Sequence, residues 1–443
     1  MNHRLSISMA AAAAVAALLP IGASAQDNGW TLSECVNYAI EHNVSIRQYE
    51  IAKEQRENDL STAKGNNLPS VGAYIGQSFD FGRGLTINNT YENKNTRNTS
   101  FAIQAQMTLF DGLQSINGVK VSRLNLAAAT EDLQAAKEDV GIRVAQAYLQ
   151  VLSAKEVAEA ATEQANLSRT QLARKEALLK NGKTSEAEVA AARSLVAQDE
   201  MTAVKSEGDY KLALLDLSQL LELASPDSLN VARPDTAALV DQLATPEQIY
   251  QEALAAKASI RAAQIRTESA EQNIKVARGA YAPTLNLQAG VSTGYYGISG
   301  QDVDSFGDQM SNNLNKSISL SLNIPIFNRF ATRNGVRSAQ MTYTSSLVEL
   351  EDSRKTLYKE IQQAYYNAVA ARATYESSVA AAESAEAAFR LAEGKYAEGL
   401  SSSTEYAEAR TNRLTALANK IQYKYNLIFR AKILDFYRGA QLQ

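Results

Sequence analysis

The stretch YAPTLNLQAGVSTGY, residues 281–295, decides the fold. Pro283 stops a helix that arrives from the N-terminal side, because proline lacks an N–H and disfavours helical geometry in the residue before it. From Thr284 onward the side chains alternate. Leu285, Leu287, Ala289 and Val291 fall on one side, and Asn286, Gln288, Gly290 and Ser292 on the other. A period of two marks a strand. The run carries no charge, and its length of about 9–12 residues suits a tilted strand crossing an outer membrane, apolar toward lipid and polar toward a lumen. A soluble sheet with one face on a core alternates in the same way. The missing charges and the N-terminus of the chain weigh for the membrane.

Three more segments share the pattern. Ile318, Leu320, Leu322 and Ile324 alternate with Ser319, Ser321 and Asn323, and Phe101, Ile103, Ala105, Met107 and Leu109 with Ala102, Gln104, Gln106 and Thr108. Val71 to Phe81 is a weaker version. The expected strands are therefore 70–82, 99–110, 284–295 and 317–326. Tyr74, Phe79, Phe81, Tyr281, Tyr295 and Tyr296 are candidates for the aromatic girdles at the membrane interfaces. The loops at 83–98 and 296–317 are rich in Asn, Gly, Asp and Ser and suit the outward side. Four strands cannot close a water-filled barrel, since the smallest single-chain barrels use about eight and open edges are not tolerated in lipid. Several chains must share one barrel, and three would give twelve strands.

The two halves of the chain repeat. Ser45-Ile46-Arg47, Ala63, Gly65 and Pro69 return 214 positions later as Ser259-Ile260-Arg261, Ala277, Gly279 and Pro283. Phe110, Gly118, Gln146-Ala147-Tyr148, Gly182, Glu188 and Arg193 return 217 positions later as Phe327, Gly335, Gln363-Ala364-Tyr365, Gly399, Glu405 and Arg410. The extra three residues fall most simply in the second polar loop. Residues 26–224 form the first repeat, 225–246 a proline-bearing linker and 247–443 the second repeat. Each repeat reads as a helix, two strands, a long helix and a return helix. The long helices run over about 116–181 and 333–398, without a proline, and the return helices over 185–223 and 402–437. At 1.5 Å per residue each long helix reaches roughly 95–100 Å. Apolar or small residues recur every seven positions, from Val119 through Val140 to Ala161 and from Val336 through Leu357 to Ala392. A sustained seven-residue period supercoils a helix against its neighbours.

The remaining composition excludes more than it suggests. Arg4, the uncharged run Met9–Leu19, Pro20 and Ala23-Ser24-Ala25 read as a secretory signal peptide over 1–25, too short for a membrane anchor. Without Arg4 the net charge moves from −4 to −5, and no basic tract points to nucleic acid. Cys35 is the only cysteine, so no intrachain disulfide and no lipid anchor at the mature N-terminus is expected. His42 is the one histidine past residue 25, which nearly excludes a Ser-His-Asp, Cys-His or multi-histidine zinc site. Gly82-Arg83-Gly84 is a turn rather than a phosphate loop. No catalytic residue, metal site or cofactor is expected.

Several motifs in this order carry a family resemblance. They are Trp30-Thr31-Leu32-Ser33-Glu34-Cys35-Val36 with Ala39 and Asn43, Leu68-Pro69, Ala282-Pro283, Leu109-Phe110-Asp111-Gly112, Pro325-Ile326-Phe327-Asn328, and Lys395-Tyr396-Ala397-Glu398-Gly399-Leu400-Ser401-Ser402. From Trp30 onward the chain resembles the TolC family of outer-membrane efflux proteins. The resemblance implies an α+β membrane fold, a homotrimer whose 12-stranded β-barrel continues into a long α-helical tunnel across the periplasm. It implies a periplasmic adaptor, an inner-membrane pump of RND or ABC type, and a passive exit duct closed at its helical tips at rest. The tip and adaptor-docking positions would be Gly182, Thr184, Glu188, Gly399, Ser402 and Glu405, and the strand–helix junctions Pro69, Phe110, Gly112, Pro283 and Phe327. Glu188 and Glu405 would contribute up to six carboxylates near the entrance of a trimer. They are also acids at helix N-termini, where the macrodipole favours them anyway. The family's usual Leu-Asp-Val-Leu is here Thr404-Glu405-Tyr406-Ala407, and Gly182-Lys183-Thr184 departs from the Gly-Leu of the second repeat. The other reading of a barrel-anchored trimer is an envelope scaffold or adhesin without transport. The sequence does not indicate the cargo.

Overall fold

A computed structural model describes residues 29–85, 89–93, 95–226, 229–233 and 244–440. The expected signal peptide lies outside them. The chain opens with α1 (Leu32–His42) and α2 (Val44–Gly65), then β1 (Ser70–Asp80). A small hairpin, β2 (Arg83–Leu85) and β3 (Tyr91–Asn93), precedes β4 (Thr96–Phe110), α3 (Gln114–Lys180) and α4 (Glu186–Leu220). The second half holds α5 (Pro246–Ala256), α6 (Ala258–Gly279), β5 (Thr284–Ile298), α7 (Phe306–Asn312), β6 (Asn315–Asn323), α8 (Ala331–Ala397) and α9 (Ser403–Tyr437). The bounds of α1 and α2 recur 214 positions later as α5 and α6, and those of α3 and α4 recur 217 positions later as α8 and α9.

Each opening helix is two helices, not the single one expected. Asn43 and Lys257 take extended geometry, ending one helix while beginning the next. The Asn43 side chain accepts from the Ser45 N–H and donates to the Leu220 carbonyl. A capping residue thus substitutes for the proline that would have announced the break. Trp30 lies in a parallel bridge with Val231, and the buried Tyr148 hydroxyl donates to the Ala232 carbonyl at 2.6 Å. Val140, Val144, Tyr148 and Leu152 of α3 pack there with Leu32, Cys35, Ala39, Leu217 and Tyr425. A second core joins Ile249, Ile260, Leu357, Ile361 and Leu434. None of the seven-residue series on α3 and α8 is exposed, so the period marks the inner seam of both long helices.

All four long strands form one antiparallel sheet in the order β1-β4-β5-β6. The register sorts its faces. Ala73, Ile103 and Val291 stand side by side on one, as do Val71, Ala105, Ala289 and Ile318, and Leu287 with Leu320. Ser70, Gln106, Gln288 and Ser319 share the other, as do Gly72, Gln104, Gly290 and Ser317. Beyond Phe101, Thr293 and Tyr295, against which α7 packs, the apolar face has no cover: Val71 is 70% exposed and Ile318 82%. The only charged side chains on it, Arg97 and Lys316, are the second residues of β4 and β6. Tyr74 stands beside Ala102 and Tyr296 beside Asn98, on the polar face, which removes both from the expected girdle; Phe79 and Tyr295 are on the apolar one. No helix among the described residues is long and apolar enough to cross a membrane.

Several strand ends differ from expectation, and those of β5 and β6 do so for a structural reason. The last strand spans Asn315–Asn323, not 317–326, because its partner ladder ends at Thr284, immediately after Pro283, and Pro325 has no N–H to extend it. At the other end β5 runs past β6, leaving a free edge over residues 293–298. The Gln309 carboxamide of α7 caps it. Its oxygen accepts from the Tyr296 N–H at 2.9 Å and its nitrogen donates to the Tyr296 carbonyl at 3.0 Å. Asn313 donates to the Gly294 carbonyl at 2.7 Å.

Candidate functional site: the hairpin tips and the strand–helix junctions

At the junctions, strand becomes long helix through two successive left-handed residues. In the first half these are Gly112 (φ +68°) and Leu113 (φ +67°), in the second Arg329 (φ +55°) and Phe330 (φ +65°). The first turn is crowded. A Cβ on Gly112 would sit 2.3 Å from the Gly279 carbonyl oxygen, and one on Gly279 2.7 Å from that of Gly112. The end of α6 therefore touches the turn into α3. Pro69 and Pro283 sit just ahead of β1 and β5, Phe110 closes β4 opposite Leu285, and Phe327 is exposed, edge-to-face with Phe330.

At the opposite end, each long helix closes on a glycine. The Gly182 N–H donates to the Leu179 carbonyl and the Lys183 N–H to that of Leu178, with Gly182 at φ +67°. Gly399, at φ +74°, repeats this with Tyr396 and Lys395. Both are Schellman endings, in which a left-handed residue lets the chain turn while the last carbonyls stay bonded. The return helices begin on serine caps. Ser185 accepts from the Glu188 N–H and Ser402 from the Glu405 N–H, where Glu405 also completes a capping box.

The two acids differ in their surroundings. Glu188 accepts from Lys175 Nζ at 2.6 Å and from the Thr184 hydroxyl at 2.8 Å. The Lys175 hydrogen bond, then that of Thr184, holds its carboxyl below the usual range. Burial opposes the Lys175 charge, but the Glu188 and Tyr396 contacts outweigh it and its pKa ends raised. Glu405 is fully exposed, and hydrogen bonds from Ser401 and the Ser402 backbone lower its pKa.

Lys175 also links the two helical hairpins. Its ammonium lies 4.5 Å from the centre of the Tyr396 ring of α8. That ring stacks on Tyr406 of α9 at 4.8 Å, and the buried Tyr406 hydroxyl donates to Gln171 of α3 at 2.8 Å. Deeper along the bundle, Arg410 of α9 forms an ion pair with Asp199 of α4, and Ser168 of α3 donates to the same carboxylate. Arg410 is 3% exposed and Asp199 6%. Arg413 extends the cluster to Glu386 of α8 and Gln164 of α3. The structure thus gathers Thr184 and Glu188 with Lys175 and Asp199, which no sequence motif marked, and with Tyr396, Tyr406 and Arg410, which stood in the sequence only as motif or repeat positions, and it leaves Ser402 and Glu405 on their own cap. Among the described residues no group of His, Cys, Asp and Glu is placed to hold a metal.

The family model for outer membrane efflux proteins matches residues 35–222 and 249–439, nearly all of both halves. The chain belongs to that family. Proteins similar to it include Protein CyaE of Bordetella pertussis, 26% identical over 91% of this chain and 82% of that one. Another is Outer membrane efflux protein BepC of Brucella suis, 25% identical over 78% of this chain and 71% of its own. The CmeC outer membrane channel of Campylobacter jejuni superposes with a TM-score of 0.77 at 18% identity, covering 93% of this chain and 86% of that one. Membership makes this an efflux channel of the outer membrane with its helices in the periplasm, not an enzyme.

Proposed function

We propose that three copies close one twelve-stranded barrel whose helices form a periplasmic tunnel, and that the assembly is the passive exit duct of a tripartite efflux or secretion system. One observation carries the reading: β1 and β6 are unpaired edges of a sheet whose apolar face is largely bare. Lipid offers no partner for an edge, so the edges must meet those of other copies.

The helices support the ring. Leu149 and Leu152 of α3 are buried at 3% and 1% exposure, whereas Tyr366 and Val369, 217 positions later on α8, are 65% and 43% exposed. At these positions the long helix of the first half finds its packing inside the chain, and that of the second half awaits it from a neighbour. Contacts between copies then follow from contacts within one. Gln272 donates to Asn117 at 2.9 Å, and the residues at the repeat offsets are Asn58 and Asn334. Asn58→Cys with Asn334→Cys should oxidise to a covalent trimer in membranes. A purely monomeric product would count against the ring.

A periplasmic adaptor docks at the tips bearing Gly182, Thr184, Glu188, Gly399, Ser402 and Glu405, and an RND or ABC pump in the inner membrane supplies the energy. The links from Lys175 to Tyr396 and from Tyr406 to Gln171 hold the tips together at rest. Lys175→Ala with Tyr396→Ala should therefore raise single-channel conductance in planar bilayers. Absence of any conductance from that opened variant favours the scaffold reading.

A further inference from the structure

On the channel reading, the polar face of the sheet is the wall of the barrel lumen, and we infer that this wall is a charge-free sleeve that does not sort cargo by charge. The register shows it strand by strand. From Asn98 to Thr108, the residues of β4 on that face are Asn98, Ser100, Ala102, Gln104, Gln106 and Thr108. Their neighbours across β1, β5 and β6 are Ser, Gly, Gln, Asn and Tyr, with no Asp, Glu, Lys, Arg or His among the described residues. The first charge on this face is Asp80, beside Thr96 at the outer end. Ten residues of strand at about 3.4 Å each, tilted near 40°, span a height of roughly 26 Å, the full apolar band of an outer-membrane barrel.

The consequence is electrostatic. Fixed charges on a pore wall give it ion selectivity. Carboxamides and hydroxyls both donate and accept, so they solvate either sign equally well. Anionic, cationic and zwitterionic polar cargo therefore meet the same sleeve, and any ion preference of the whole duct is set by the helical end.

The test is the reversal potential of single channels in a salt gradient, in the full chain opened by Lys175→Ala and Tyr396→Ala. Gln104, flanked by Gly72 and Gly290, is the reporter. Gln104→Lys and Gln104→Glu should displace the potassium-to-chloride permeability ratio several-fold in opposite directions, while Asp80→Asn leaves it in place. The inference is overturned if neither Gln104 variant moves the ratio, or if Asp80→Asn abolishes an existing preference. A silent opened channel defeats the channel reading itself, a different outcome.

Discussion

The ion pair of Asp199 and Arg410 shows how a single residue can hold two helical hairpins together. Both side chains are almost wholly buried, and α4 and α9 have little else between them. Removing one partner of a buried pair leaves an uncompensated charge and costs roughly 3–5 kcal/mol. Asp199→Ala should therefore destabilise the helical part by about that amount in denaturant titration followed by helix signal, and Asp199→Leu with Arg410→Met by much less. Glu188 carries a weaker, titratable contact within the first hairpin, anchoring the Lys175 that reaches Tyr396 of the second. Its folded pKa is depressed by Lys175 and Thr184, so its contribution is present above the ordinary carboxylate value of 4.5 and is lost as pH falls through the lower folded one. Channel opening should rise as the periplasmic side is acidified through that window. Glu188→Gln should abolish that rise, because Glu405 is bonded only within its own cap.

At the scale of elements, two glycine turns that look alike in sequence do different work. Gly399 turns in open space, while Gly112 turns against the end of α6. Gly399→Ala carries only the left-handed penalty, about 1–2 kcal/mol. Gly112→Ala adds a collision with backbone, so it should abolish assembled oligomer on semi-native gels while Gly399→Ala preserves it. The strands and long helices were legible in the sequence because a period of two or seven persists over many residues. The helix breaks at Asn43 and Lys257 were not, since a polar cap inside a helical pattern resembles any surface residue. The tip contacts were hidden for another reason. Lys175, Tyr396, Asp199 and Arg410 come from four different helices, and which face of each helix looks inward depends on packing, not on spacing. Pro325 was visible, yet the limit of β6 is set by its partner, which ends at Thr284.

For the whole molecule, the central ladder joins Thr96 to Ile298, with α3, α4, α5 and α6 lying between the two strands in sequence. Contacts so distant along the chain form late, because the intervening loop must close before they contribute. During secretion the β1–β4 hairpin emerges first and has no partner for the free side of β4 until the second half arrives. In that interval its apolar face, Phe79, Phe101 and Ile103 included, meets water. The growing chain is thus most prone to aggregate midway through its own export, the moment at which a holding chaperone in the periplasm has something to grip. A chain interrupted after α4 would present that hairpin permanently and offer proteases a substrate where the complete chain offers a membrane protein.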